Sequence, residues 1–151
     1  MKIHKFEGTA KPVLTVGGKV QGNKPIKFDL NDLIQLPSET ISIHHSVTGQ
    51  RNQYTGILLD DFLNHLGIAP DSSYLIIRAS NNYKSVVKIN DINRFEYLLS
   101  YKKNGKFYNQ LPSEEDRGPL AIIINFDKHP GLDFDIYKHQ LVWFVENITI
   151  E

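Results

Sequence analysis

The chain has 151 residues, with 17 lysines and arginines against 17 aspartates and glutamates, so no long-range field favours nucleic acid or a membrane surface as a partner. That length suits one domain, residues 1–151, able to bury roughly 70% of its unfolded surface without a disulfide or metal staple. The absence of cysteine removes disulfides, thiol redox chemistry and thiolate metal sites, and it leaves the compartment open.

The opening Met1-Lys2-Ile3-His4-Lys5-Phe6-Glu7-Gly8 holds no apolar signal-peptide core, and no segment approaches the ~20 apolar residues of a membrane span. Val13-Leu14-Thr15-Val16 and Lys19-Val20 alternate as a strand, with a kink or bulge expected at Gly17-Gly18. After a turn at Gly22-Asn23-Lys24-Pro25, a strand at Lys27-Phe28-Asp29 runs into a short helix. Asp29 caps it, Leu30, Leu33, Ile34 and Leu36 form its apolar face, and Pro37 stops it. Thr40 to His45 is a strand with β-branched Ile41 and Ile43 on one face. Leu58, Leu59, Phe62, Leu63 and Leu66 then mark one side of a helix that begins with Asp60 and Asp61 and ends at Gly67.

Tyr74 to Ala79 and Ser85 to Ile89 are strand-like runs joined by Ser80-Asn81-Asn82-Tyr83-Lys84, whose asparagines carry turn chemistry, so a hairpin is expected. A second hairpin joins Tyr97 to Tyr101 with Lys106 to Tyr108 through Asn104-Gly105, a pair that favours positive φ. Leu120-Ala121-Ile122-Ile123-Ile124 reads as a strand buried on both faces. Asn125 to Lys138 reads as a loop, and Leu141 to Val145 with Ile148 to Ile150 as the closing strand. Without repeats or linkers, the elements describe a mixed, strand-dominated α+β domain.

Several of these segments also carry a resemblance. Tyr54-Thr55-Gly56-Ile57-Leu58 leading into a helix is similar to the aromatic-X-Gly-Val/Ile-X-Leu step of the sulfite-oxidase-type oxidoreductase molybdopterin-binding domain family. Gly118-Pro119-Leu120, the terminal Val142-Trp143 with Ile148, and Asn81-Asn82-Tyr83 with Asp91 resemble further family motifs, in the same order. The resemblance implies that fold over about Val13 to Ile150, and molybdopterin or another pterin as the associated cofactor. The family's metal-binding cysteine falls near His44, and its arginine, proline and lysine positions hold Ala121, Asn125 and Val142. An imidazole is neutral and harder than a thiolate, so it does not replace the negative sulfur at a high-valent metal. The resemblance therefore points to a standalone, cysteine-free branch associated with pterin binding. Many family members are exported, which implies the periplasm if a leader was removed and the cytoplasm otherwise.

The candidate site comprises His44, the loop from Ser46 to Asn52, Asn82, Tyr83 and Arg117. Strand geometry sends His44 and His45 to opposite faces, so only one, His44, can enter a pocket; the alternative is that one packs or hydrogen-bonds near the core while the other is solvated. Arg51 and Arg117 can grip a carboxylate or phosphate, and the alternative for each is an ordinary surface position. Asn82 and Tyr83 can address the polar edge of a heterocycle, although a hairpin turn uses the same residues. Glu114, Glu115 and Asp116 are a solvated acidic run more readily than an acid/base pair, and Trp143 is expected in the core, with stacking on a ligand as the alternative. No metal-ligand spacing, glycine-rich phosphate loop or basic-aromatic nucleic-acid stripe occurs. The expected function is a non-redox binding module for a pterin-like or anionic small molecule. The alternatives are a molybdopterin-dependent oxidoreductase without the thiolate and a structural subunit whose partner is another protein.

Overall fold

The computed structural model describes residues 11–44 and 49–151. Among these residues ten strands form two five-stranded sheets. The first runs β2 (Ile26–Asp29), β1 (Pro12–Gly18), β10 (Val145–Ile150), β5 (Tyr74–Ala79) and β6 (Lys84–Lys88). It is mixed, because β1 pairs parallel to β10 while its other pairs are antiparallel. The second runs β3 (Glu39–His44), β4 (Arg51–Leu58) and β7 (Tyr97–Lys103), with β8 (Lys106–Phe107) and β9 (Ala121–Ile124) also pairing with β7.

One apolar cluster joins the sheets. Leu14, Val16, Leu75, Ile77 and Ile148 of the first sheet belong to it together with Ile57, Leu99, Tyr101, Ile122 and Ile124 of the second. Helix α2 (Leu59–Leu66) adds Leu59, Phe62, Leu63 and Leu66, the stripe seen in its sequence, and Phe62 meets Phe28 with ring centroids 5.4 Å apart. Its C-terminus closes at Gly67 with φ +68, in the left-handed region that glycine enters without a Cβ penalty. Helix α1 (Leu30–Ile34) begins with a capping box in which Asp29 accepts from the Asp32 N–H and Asp32 accepts from the Asp29 N–H.

The glycine of the Tyr54-to-Leu58 step has a direct structural reason. Between Thr55 and Gly56 the β4–β7 register shifts, and a Cβ on Gly56 would stand 2.0 Å from the Leu99 carbonyl oxygen. The turns at Asn82 (φ +73) and at Asn104-Gly105 (φ +52 and +80) adopt the left-handed geometry that their residues imply.

Three expectations change. Of the kink or bulge expected at Gly17-Gly18, the kink is at Gly18 (φ +84), which ends β1 against the Ile150 backbone, while the register shift lies between Pro12 and Leu14. The stretch read as loop contains helix α4 (Phe134–Tyr137), started by Asp133 accepting from the Asp135 N–H; at four residues it is too short to show a period. The closing strand starts only at Val145, because Phe144 turns the chain at φ +56. His45 and residues 46–48 of the candidate loop lie outside the described residues.

Candidate functional site

The β3–β4 hairpin sets His44 opposite Arg51. Arg51 Nη1 donates to Asp127 Oδ2 at 3.2 Å and to Ser42 Oγ at 3.4 Å, and the His44 backbone N–H donates to the same Asp127 oxygen at 2.8 Å. The His44 residue is exposed. Arg51 is thus held by an exposed ion pair of the kind that contributes about 0–1 kcal/mol, which leaves it able to exchange Asp127 for another anion.

The β5–β6 turn uses most of its own polar groups. Tyr83 N–H donates to Asn81 Oδ1 at 3.1 Å, Asn82 N–H to the Ala79 carbonyl at 3.1 Å, and Ala79 N–H to the Tyr83 carbonyl at 2.9 Å. The Tyr83 hydroxyl donates to the His139 carbonyl at 2.6 Å. Hydrogen bonds then stitch this turn to Arg117: Ser80 N–H donates to the Phe144 carbonyl at 2.9 Å, and Phe144 N–H donates to the Arg117 carbonyl at 2.8 Å. Both polar backbone groups of Phe144 are therefore paired, which offsets the cost of a bulky residue at positive φ.

Arg117 donates from Nη1 to the Glu114 carbonyl at 2.7 Å, and its guanidinium lies 4.2 Å from the ring centroid of Trp143. Trp143 is 47% exposed, which corrects its expected place in the core. The cause is the early end of the final strand: residues before Val145 leave the sheet, and the indole stacks on a cation instead of packing between the sheets. Tyr54 stands near enough for the Arg117 charge to act on its phenol. Burial pushes that phenol above its ordinary pKa, with the Asn52 hydrogen bond and Arg117 opposing.

The structure therefore brings Asn82, Tyr83 and Arg117 onto one connected stretch and sets His44 with Arg51 on another. Among the described residues no hydrogen bond or ion pair joins the two groups. Trp143, Tyr54 and Asp127 complete these surroundings; none was among the candidate site residues, although stacking on a ligand was the alternative for Trp143. For Tyr54 the signals were its place as the aromatic residue of the X-Gly-Ile-X-Leu step and its period-two position on β4; the role of Asp127 arises from folding alone.

Three clefts, each of about 270–280 Å³, lie elsewhere, and none is lined by His44, Arg51, Asn82, Tyr83 or Arg117. One is apolar, walled by Tyr101, Phe107, Tyr108 and Pro119, with Asn109 and Asp116 at its rim. Another is charged and holds Asp60, Arg94, Glu96, Lys128 and His129. There Glu96 accepts from Asn125 Nδ2 at 2.7 Å and from Lys128 Nζ at 3.0 Å. Burial alone would raise the Glu96 pKa, but these two hydrogen bonds and the Lys128 charge outweigh it and hold the carboxyl below its ordinary value. A carboxyl depressed in the folded state adds stability at pH values above its unfolded pKa, and that stability is lost as pH falls through the folded value. Glu96→Gln is expected to cost about 1 kcal/mol at neutral pH, with the gap from wild type closing on acidification. Thermal unfolding of both proteins across pH checks this; a gap independent of pH counts against a charged Glu96.

Two packed sheets with segregated short helices define an α+β domain, and known proteins specify it further. The family described as oxidoreductase molybdopterin-binding domain matches residues 5–120, and the chain belongs to that family. Among solved structures it is similar to the sulfane dehydrogenase SoxCD from Paracoccus pantotrophus, at 18% identity and a TM-score of 0.67. That match covers 91% of this chain and 37% of the other, so the chain spans little more than a third of its neighbour's length. None of the curated proteins matches the chain.

The described residues do not fit a molybdenum centre of the kind that the resemblance implies. The chain supplies no thiolate, and among the described residues no three histidine or carboxylate side chains converge as metal ligands. Ala121 and Val142, standing where cations were expected, are 1% and 0% exposed, and the Asn125 amide is committed to Glu96. No helix among the described residues is long and apolar enough to cross a membrane.

Proposed function

We propose that the chain is a non-redox binding module that takes a pterin-like or other flat, anionic small molecule. The observation that carries this reading is the stacked Arg117–Trp143 pair. An exposed indole backed by a guanidinium offers a planar surface and a fixed positive charge, the combination that holds a flat anion by stacking and charge-assisted hydrogen bonding. The Asn81-Asn82-Tyr83 turn is tied to this pair through Phe144, and Tyr54 adds a phenol beside it. Arg51 on its labile pair with Asp127 supplies a further cation at the hairpin carrying His44.

Purification from a host that makes molybdopterin, followed by metal and pterin analysis, tests the reading. Substoichiometric molybdenum is expected, together with saturable thermal stabilisation by a pterin or small anion that Arg117→Ala removes. Stoichiometric molybdenum would instead favour the oxidoreductase. Absence of stabilisation across a pterin, nucleotide and anion panel would favour a subunit that binds another protein.

A further inference from the structure

The charged cleft at the end of α3 (Ile89–Arg94) does not belong to the site just described, and its charges are incompletely matched. Both carboxylate oxygens of Glu96 are already engaged, one by Lys128 and the other by Asn125, and its backbone N–H donates to His129 Nε2 at 3.2 Å. A neutral imidazole that accepts at Nε2 carries its proton on Nδ1, so His129 retains a free donor. The His129 ring is fixed edge-on to Phe95, with centroids 5.2 Å apart.

Arg94 lies over the other constant feature of the cleft, with its guanidinium 5.1 Å from the Phe95 ring centroid. Among the described residues it has no carboxylate partner, and neither does Asp60 have a cationic one. Once Glu96 and Lys128 cancel, the lining therefore keeps one unmatched cation and one unmatched carboxylate that do not pair with each other. Leu58, Ile92 and Phe95 give the same cleft an apolar component. At about 280 Å³ it lies just below the usual range of small-molecule pockets, which suits a ligand of amino-acid size.

We propose that this cleft binds a small zwitterion of the α-amino-acid class, with its carboxylate on Arg94 and the His129 Nδ1–H, its ammonium on Asp60, and its side chain against Leu58, Ile92 and Phe95. A simple anion would leave Asp60 unmatched and opposed to it, whereas a simple amine would leave Arg94 so. Only a ligand carrying both signs satisfies both groups, and charge-assisted hydrogen bonds at each end supply the orientation.

The test is calorimetric titration of the full chain with each of the common amino acids. For an apolar one such as leucine, the deaminated acid (4-methylpentanoate) and the decarboxylated amine (3-methylbutan-1-amine) serve as controls. At least one amino acid is expected to bind saturably, with affinity falling about tenfold or more for Arg94→Ala, for Asp60→Asn and for either one-charge control. Arg117→Ala is expected to leave that binding unchanged, so this site and the stacked-pair site fail separately. Far-UV circular dichroism establishes that each variant is folded, and His129→Gln gives a second probe of the carboxylate end. The inference is overturned if no amino acid binds, if folded Arg94→Ala and Asp60→Asn bind as the wild type does, or if 4-methylpentanoate binds as tightly as leucine.

Discussion

Gly56→Ala is expected to destabilise the protein by more than about 4 kcal/mol, or to prevent accumulation of folded chain. The added Cβ would stand 2.0 Å from the Leu99 carbonyl oxygen and 2.7 Å from the Ser100 Cα, and both obstacles are backbone. A side chain can rotate away from a clash, but a strand in the middle of a sheet cannot. Relief therefore requires β4 and β7 to separate at the place where their register shifts. At this chain length each kcal/mol lowers Tm by roughly 2–4 °C, so a loss above about 10 °C is the expected reading. Gly131→Ala is the matched control: nothing lies within 4 Å of its added Cβ, and a change within about 0.5 kcal/mol is expected. Urea and thermal unfolding of both variants measure the contrast. A Gly56→Ala protein within about 1 kcal/mol of wild type would mean that the two backbones do not approach so closely.

Tyr108→Ala is expected to cost about 3–5 kcal/mol and Tyr108→Phe only about 1 kcal/mol. Tyr108 is 1% exposed, its ring packs directly on Gly118, and its hydroxyl bonds to Ser100 Oγ at 2.9 Å. Removal of the ring opens a cavity. Removal of the oxygen alone leaves Ser100 bonded to the carbonyls of Thr55 and Lys102. Tyr97 is the second buried phenol, bonded to Gln140. Burial pushes both phenols well above their ordinary pKa; at Tyr97 the negative charge of Asp91 adds to the effect, while at Tyr108 the Ser100 hydrogen bond opposes it. An acid raised in the folded state keeps its full contribution below the unfolded pKa, and that contribution is lost as pH rises toward the folded value. Alkaline unfolding is therefore expected to set in above about pH 10, and the Tyr97→Phe/Tyr108→Phe double variant to move its onset upward. Phenolate absorbance and circular dichroism followed together check this: the buried phenolates should appear with unfolding and not before it.

The fold was legible wherever local chemistry and tertiary packing demanded the same residues. Helix α2 combines an apolar stripe, acidic residues in its first turn and a left-handed glycine cap, and each is decided within eight or nine positions. The Asn104-Gly105 and Asn81-Asn82 turns are equally local, because positive φ selects those residues whatever surrounds them. Trp143 was misplaced because neighbours distant in sequence decide its environment. Its segment is apolar enough to be strand, but the hydrogen bonds of Phe144 to Ser80 and Arg117 lead the chain out of the sheet. The candidate site was legible in part for the same reason. Tyr83 and Arg117 fall on one connected stretch through residue 144, while Arg51 is drawn to Asp127, 76 positions away, a pairing that no spacing rule reveals. The charged cleft was missed entirely, since Asp60, Arg94 and His129 belong to three segments that have no common motif.

The Asp127 carboxylate also bears on the free side of strand β3. Among the described residues β3 pairs only with β4, which leaves its other side a free sheet edge, the usual template for strand addition between chains. At His44 the outward N–H is already occupied by Asp127, and the Arg51 guanidinium shares the same oxygen. An incoming strand would find that donor taken and a charge pair beside it, so an acidic residue 83 positions away in sequence hinders strand addition at the His44 end of β3.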